Sequence, residues 1–119
     1  MEKTSAVAAL AALAQESRLD VFRLLVQAGP GGLPPGQIAE RLGLPAATLS
    51  FHLTQLRHSG LVTFRRAGRS LIYMAEYAAM NDLLAYLTEN CCQGDAAGCG
   101  VGMCDSISLV KTKTGSARQ

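Results

Sequence analysis

Apolar positions recur along this chain first at helical and then at strand spacing. Residues 4–14 are rich in Ala, with Val7, Leu10 and Leu13 at helical intervals, and predict a first helix. Residues 16–28 predict a second. Its apolar positions Leu19, Val21, Phe22, Leu24, Leu25 and Val26 cover more than one face, so this helix is expected at the centre of the core. Gly29-Pro30-Gly31-Gly32 stops it. Pro35 opens a short helix containing Ile38, Ala39 and Leu42, which Gly43 ends. Pro45 is expected at the first position of the next helix, where its missing N–H costs nothing. There Leu49, Leu53 and Leu56 form one buried stripe, and Gly60 terminates it. Two short helices about a Gly-Leu-Pro turn have the dimensions of a helix-turn-helix.

The rhythm then changes. Residues 61–66 and 69–75 are β-branched or aromatic runs flanking Ala67-Gly68, which predicts a two-stranded hairpin with Arg65, Arg66 and Arg69 at its tip. A basic hairpin directly after a helix-turn-helix is a wing. Residues 77–92 return to helix, with Met80, Leu84, Leu87 and Cys91 on one stripe. The expected fold is mainly α with a β-hairpin wing. Residues 1–92 are read as a winged-helix DNA-binding and dimerisation domain, and 93–119 as a Cys- and Gly-rich loop with a flexible polar tail. There is no internal repeat.

Charge sharpens this picture. Residues 45–73 hold Arg57, Arg65, Arg66 and Arg69 and no Asp or Glu, giving +4, whereas the whole chain of 119 residues carries only +2. A cationic segment in an otherwise mildly acidic chain is the electrostatic footprint of a DNA-binding surface. No apolar run approaches the roughly 18 residues of a membrane span, and residues 6–14 lack the context of a secretory signal. The expected location is the cytoplasm.

With the leucine stripe inward, Ala47, Thr48, Phe51, Thr54, Gln55 and His58 are expected outward, and Ser50, His52 and Arg57 on the flanks. A helix of this size enters the major groove and reads bases from its first turns. Thr48, Ser50 and Gln55 offer hydrogen bonds. Phe51 either meets a thymine methyl or packs against the wing or a neighbouring helix. His52 either contacts a base or orients the helix from its flank. Arg57 completes the expected DNA-binding set, with Arg65, Arg66 and Arg69 on phosphates or the flanking minor groove.

The run Ser50-Phe51-His52-Leu53-Thr54-Gln55-Leu56-Arg57-His58-Ser59-Gly60-Leu61-Val62 resembles the S-x-H-L-x-x-L-R-x-x-G-L-V signature of the ArsR family of metal- and metalloid-responsive repressors. Leu13-Ala14, Ser17-Arg18-Leu19, Leu24-Leu25 and Arg66-Ala67-Gly68-Arg69 with Tyr73 agree with it, so the resemblance spans roughly residues 8–90. It implies a winged-helix homodimer joined by its first and last helices and bound to an inverted-repeat operator in double-stranded DNA. Ala46 and Ala47 depart from the polar residues that relatives often carry there.

Related metalloid sensors can carry a Cys-x-Cys pair near the helix-turn-helix, and zinc-sensing relatives use His and carboxylates along the last helix. This chain has no Cys before position 91, and its two histidines, His52 and His58, both lie in the reading helix. What remains is Cys91, Cys92, Cys99 and Cys104. Adjacent Cys91 and Cys92 have Cα atoms about 3.8 Å apart, short of the usual disulfide span of about 4.4 Å and more, so they are poor partners for each other. Both sulfurs can instead turn to one ion, and residues 94–98 can fold Cys99 back as a third. Three thiolates in a pyramid suit trivalent arsenic or antimony, that is, arsenite or antimonite as inducer. A four-sulfur zinc or cadmium site that adds Cys104, and redox sensing, are the alternatives. The chain has no C-x-x-C on a βαβ pattern and no phosphate-binding Gly loop, and no His, Asp or Glu stands in sequence as an obvious catalytic partner for the cysteines. It is therefore not expected to be an enzyme. A metal buffer would leave the wing and helix-turn-helix without purpose.

Overall fold

The computed structural model describes residues 1–90. The chain runs α1 (Lys3–Leu13), α2 (Glu16–Ala28), α3 (Pro35–Leu42), α4 (Ala46–His58), β1 (Val62–Ala67), β2 (Ser70–Ala75) and α5 (Tyr77–Leu87). This is the winged helix-turn-helix architecture expected from the sequence. The segment 93–119 and all four cysteines lie outside the described residues.

Met1–Asn81 forms one compact unit. Its core gathers Val21, Phe22 and Leu25 of α2, Ile38 of α3, Leu49, Leu53 and Leu56 of α4, and Leu61, Val62 and Ala75 at the root of the hairpin. Helix α2 keeps the predicted bounds and buries one face; Leu24 and Val26 are half-buried and Leu19 is exposed. The Gln15 side chain accepts from the Arg18 N–H at 2.9 Å and caps its N-terminus. The Tyr77 hydroxyl donates to the Val26 carbonyl at 3.1 Å, tying the start of α5 to α2.

Helix α1 inverts the expected weighting of its positions. Ala6, Ala9 and Ala12 face the core, while Val7 and Leu10 are 57% and 42% exposed. Methyl side chains at i, i+3 and i+6 let the helix lie close to its neighbours, while Val7 and Leu10 stay outside and Leu13 is half-buried.

Boundaries also move, beginning with α1, which shifts by one residue at each end. Pro45 caps α4 in extended conformation, with helix beginning at Ala46. The residue before a helix and its first position both tolerate a missing N–H, so Pro fits either. The hairpin pairs Val62 with Ala75, Phe64 with Tyr73 and Ala67 with Ser70, so Gly68-Arg69 is the two-residue turn. Of these two only Gly68 has a positive φ, +63°, as a II′ turn requires at its first position. Finally, α5 ends at Leu87, short of the expected Cys92. The Thr88 hydroxyl and N–H both donate back to the Leu84 carbonyl, at 2.8 and 3.1 Å. Asn90 then takes a left-handed φ of +57°, a common helix stop.

Leu33 extends the wing's support. Its N–H and C=O both pair with Tyr73, each at 2.9 Å. Among the described residues no helix is long and apolar enough to cross a membrane.

Candidate nucleic-acid interface

The candidate surface is built on α4. Leu49, His52, Leu53 and Leu56 are its buried side, which leaves Ala47, Thr48, Ser50, Phe51, Arg57 and His58 exposed. Phe51 is 57% exposed. Its ring lies 5.9 Å from the adjacent His52 ring, centroid to centroid. The Thr54 hydroxyl donates to the Ser50 carbonyl one turn back, at 2.9 Å. Gln55 is half-buried and lines a cleft of about 350 Å³ with Ala8, Ala11, Ala12, Arg18, His58 and Ser59. Thr48, Ser50 and Phe51 thus share the exposed first turns of the helix, whereas Gln55 turns toward α1.

His52 departs most from its expected place. It is only 7% exposed and faces the core, with no hydrogen-bond partner for Nδ1. Counted from Leu49 it stands at i+3, so it completes a 49/52/53/56 stripe that a leucine-only count overlooks. Burial, and secondarily the Arg18 guanidinium, hold its pKa below the usual imidazole value. Protonating Nδ1 would put an unpaired N–H in apolar surroundings beside another cation. The ring is thus a buried residue on the core side of α4, withdrawn from that helix's exposed face.

The four arginines divide. Arg66 is exposed on β1 and Arg69 is exposed in the turn. Arg65 donates from Nη2 to the Gly31 carbonyl at 3.1 Å, bracing the wing against the loop before α3. The Arg57 guanidinium lies 4.5 Å from the centroid of Phe64. Phe64 in turn meets Tyr73, its cross-strand partner, with ring centroids 5.4 Å apart. The sequence carried a signal for this pair that the reading above did not use: Phe64 and Tyr73 stand four residues on either side of the Gly68-Arg69 turn. No group of three or more His, Cys, Asp or Glu side chains able to hold a metal occurs among the described residues.

Comparison with known proteins agrees with this geometry. A helix-turn-helix domain family matches residues 13–64. The chain is 33% identical to the transcriptional activator HlyU of Vibrio cholerae over 97 residues, which cover 80% of this chain and 87% of that protein. An ArsR-like transcriptional regulator from Rhodococcus sp. RHA1 shares the fold, with a TM-score of 0.67 and 22% identity over 93% of this chain and 96% of that one. The homodimeric winged helix-turn-helix DNA-binding domain of a possible ArsR-family regulator from Mycobacterium bovis superposes with a TM-score of 0.58. It is 29% identical and covers 73% of this chain and 81% of its own.

Proposed function

The chain belongs to the ArsR family of winged-helix, DNA-binding transcriptional regulators, and we propose that it is a homodimeric repressor released from its operator by trivalent arsenic or antimony. The observation that carries the DNA half of this reading is the exposed first turns of α4 set beside an arginine-tipped wing, within a stretch free of acidic residues. Helix α4 enters the major groove through Thr48, Ser50 and Phe51, while Arg66 and Arg69 meet the backbone or the flanking minor groove.

Dimerisation through α1 and α5 is supported by their exposed aliphatics, Val7 and Leu10 on one and Leu84 and Leu87 on the other. The Mycobacterium bovis domain is described as homodimeric. A symmetric pair would hold two reading helices about 34 Å apart, facing an inverted repeat.

The inducer half rests on the donor set in the sequence. Cys91 and Cys92 follow directly in sequence on the left-handed Asn90, and Cys99 stands seven residues after Cys92. Three thiolates match the three bonds of As(III) or Sb(III). Binding at the end of the dimer helix would alter the spacing of the two reading helices. An allosteric coupling of about 1–3 kcal/mol lowers operator affinity about 5–150-fold.

The test is a fluorescence-anisotropy titration on duplex from upstream of the protein's own coding sequence. Arsenite is expected to release the wild-type protein, and Cys91→Ser is expected to stay bound in saturating arsenite. Release of Cys91→Ser by arsenite removes the proposed site. Release of the wild type by zinc, cadmium or peroxide but not by arsenite moves the reading to a thiolate metal site or a redox sensor.

A further inference from the structure

The position of Arg57 sets it apart from the other basic residues of the reading surface. It sits near the C-terminal end of α4, on the flank it shares with Ser50, seven residues before it, whereas base edges are reached from the first turns of a reading helix. Its guanidinium is stacked on Phe64 at 4.5 Å. Phe64 packs on Tyr73, and Tyr73 is fixed through both backbone groups to Leu33. A chain of contacts therefore runs from the reading helix, across both strands of the wing, to the loop that precedes α3. Arg66 follows Phe64 by two residues on the same face of β1, and Arg69 occupies the turn just beyond.

We propose that Arg57 is a positioning residue that clamps the wing to α4 through the Phe64–Tyr73 pair, setting where Arg66 and Arg69 meet DNA without itself touching it. The proposal rests on the duplex-binding reading above. A planar guanidinium suits this clamp because its face stacks on the ring while its edge stays hydrated, and an exposed contact of this kind is worth about two- to fivefold in an equilibrium. Phe64 is itself partly exposed, so trimming it removes the stack without opening the core.

The test measures duplex affinity over a salt series for the wild type, Arg57→Ala, Phe64→Leu and the double variant. The duplex comes from upstream of the protein's own coding sequence, and thermal unfolding confirms that each variant is folded. Arg57→Ala and Phe64→Leu are each expected to weaken binding about two- to fivefold, with the salt slope unchanged and the double variant no weaker than either single one. The Arg57 methylene protons are expected to be shifted upfield by the Phe64 ring in the free protein, and to lose that shift in Phe64→Leu. A slope that falls by about 0.9 in Arg57→Ala, together with full affinity in Phe64→Leu, makes Arg57 a phosphate contact and overturns the proposal while leaving the DNA reading intact. Wild-type protein with no salt-sensitive affinity for duplex overturns the DNA reading and, with it, the proposal.

Discussion

The Nε–H of Arg18 donates to the carbonyl oxygen of Ala12 across 2.7 Å, closing the end of α1 onto the first turn of α2. The last carbonyls of a helix have no partner within it, and Ala12 belongs to the last turn of α1. A charged donor satisfies it at a partly buried position. Together with the alanine face of α1, this bond fixes how a helix with few large buried side chains lies on the rest of the unit.

Replacing Arg18 by Met keeps most of the aliphatic stem and removes the donor. The expected loss is about 1.5–3 kcal/mol, the range for a hydrogen bond to a charged group. Urea denaturation reads it as a lower midpoint at unchanged slope. A midpoint equal to the wild type would mean that water replaces the bond at no cost.

Gly32 and Gly43 make an internal control for backbone strain. Both have a left-handed φ, +68° and +66°. A Cβ on Gly43 would meet nothing within 4 Å, whereas one on Gly32 would collide with the Tyr73 carbonyl oxygen and approach Ile72 Cγ2 to 2.8 Å. Gly43→Ala is expected to cost about 1 kcal/mol from conformation alone. Gly32→Ala must also disturb the paired Leu33–Tyr73 bonds, and about 2–4 kcal/mol is expected. Equal costs in the two variants would show that the loop yields without strain.

Much of this was legible in the residues, and the failures have physical reasons. Helix α2 and the α3–turn–α4 unit announce themselves because Pro and Gly punctuate them and Leu, Ile and Val carry the stripe. Helix α1 is legible in the pattern but its buried face is not, because alanines that permit close approach carry little hydrophobic contrast. Hydrophobic pattern alone puts His52 on a flank, because a polar residue does not count toward the stripe, although its spacing from Leu49 puts it inside. The contacts of Arg57 with Phe64 and of Arg65 with Gly31 are ones that only tertiary structure creates. The pattern overshoots the end of α5, because Met80, Leu84 and Cys91 continue the period beyond the point where Thr88 and Asn90 stop the helix.

His52 gives the protein a pH dependence whose sign follows from its burial. The native ring titrates below the ordinary imidazole value of 6.5, because of burial first and Arg18 second. As pH falls through about 6.5, the unfolded chain takes up a proton that the native ring refuses, so the unfolded state gains. Stability is therefore fully present above that value, falls below it, and levels off once the native pKa is passed. The slope for one proton cannot exceed about 1.4 kcal/mol per pH unit. Urea midpoints between pH 7.5 and 5.5 are expected to drop more in the wild type than in His52→Gln. Parallel curves would place the titration elsewhere.

Leu10 separates monomer stability from association. It is 42% exposed in the single chain, so Leu10→Lys is expected to change folding of the monomer by less than about 0.5 kcal/mol. If α1 joins two copies, a symmetric interface buries this side chain twice, at about 1.5–3 kcal/mol each. The dimer dissociation constant should then rise at least about tenfold, with operator affinity falling in step. Sedimentation velocity over a concentration series measures the first and anisotropy the second. An unchanged association constant would remove α1 from the interface.

Arg69 and Phe51 should fail in different ways when truncated, and the contrast separates holding from reading. Arg69 is exposed in the turn of the wing, on a hairpin outside α4, the helix proposed to read bases. A phosphate contact carries no sequence information. Arg69→Ala is therefore expected to weaken binding about equally to the operator and to its point variants, and to lower the salt slope by about 0.9. Phe51 stands on the exposed first turns of α4, where an apolar ring can meet a thymine methyl. Phe51→Ala is expected to leave the slope unchanged and to lose about 1–3 kcal/mol on the operator but little on one variant base pair. Binding to a panel of duplexes carrying single substitutions, each at three salt concentrations, distinguishes the two patterns. Base-selective loss in Arg69→Ala would transfer the wing from phosphate to groove, and uniform loss in Phe51→Ala would make that ring a packing element of the complex instead of a reader.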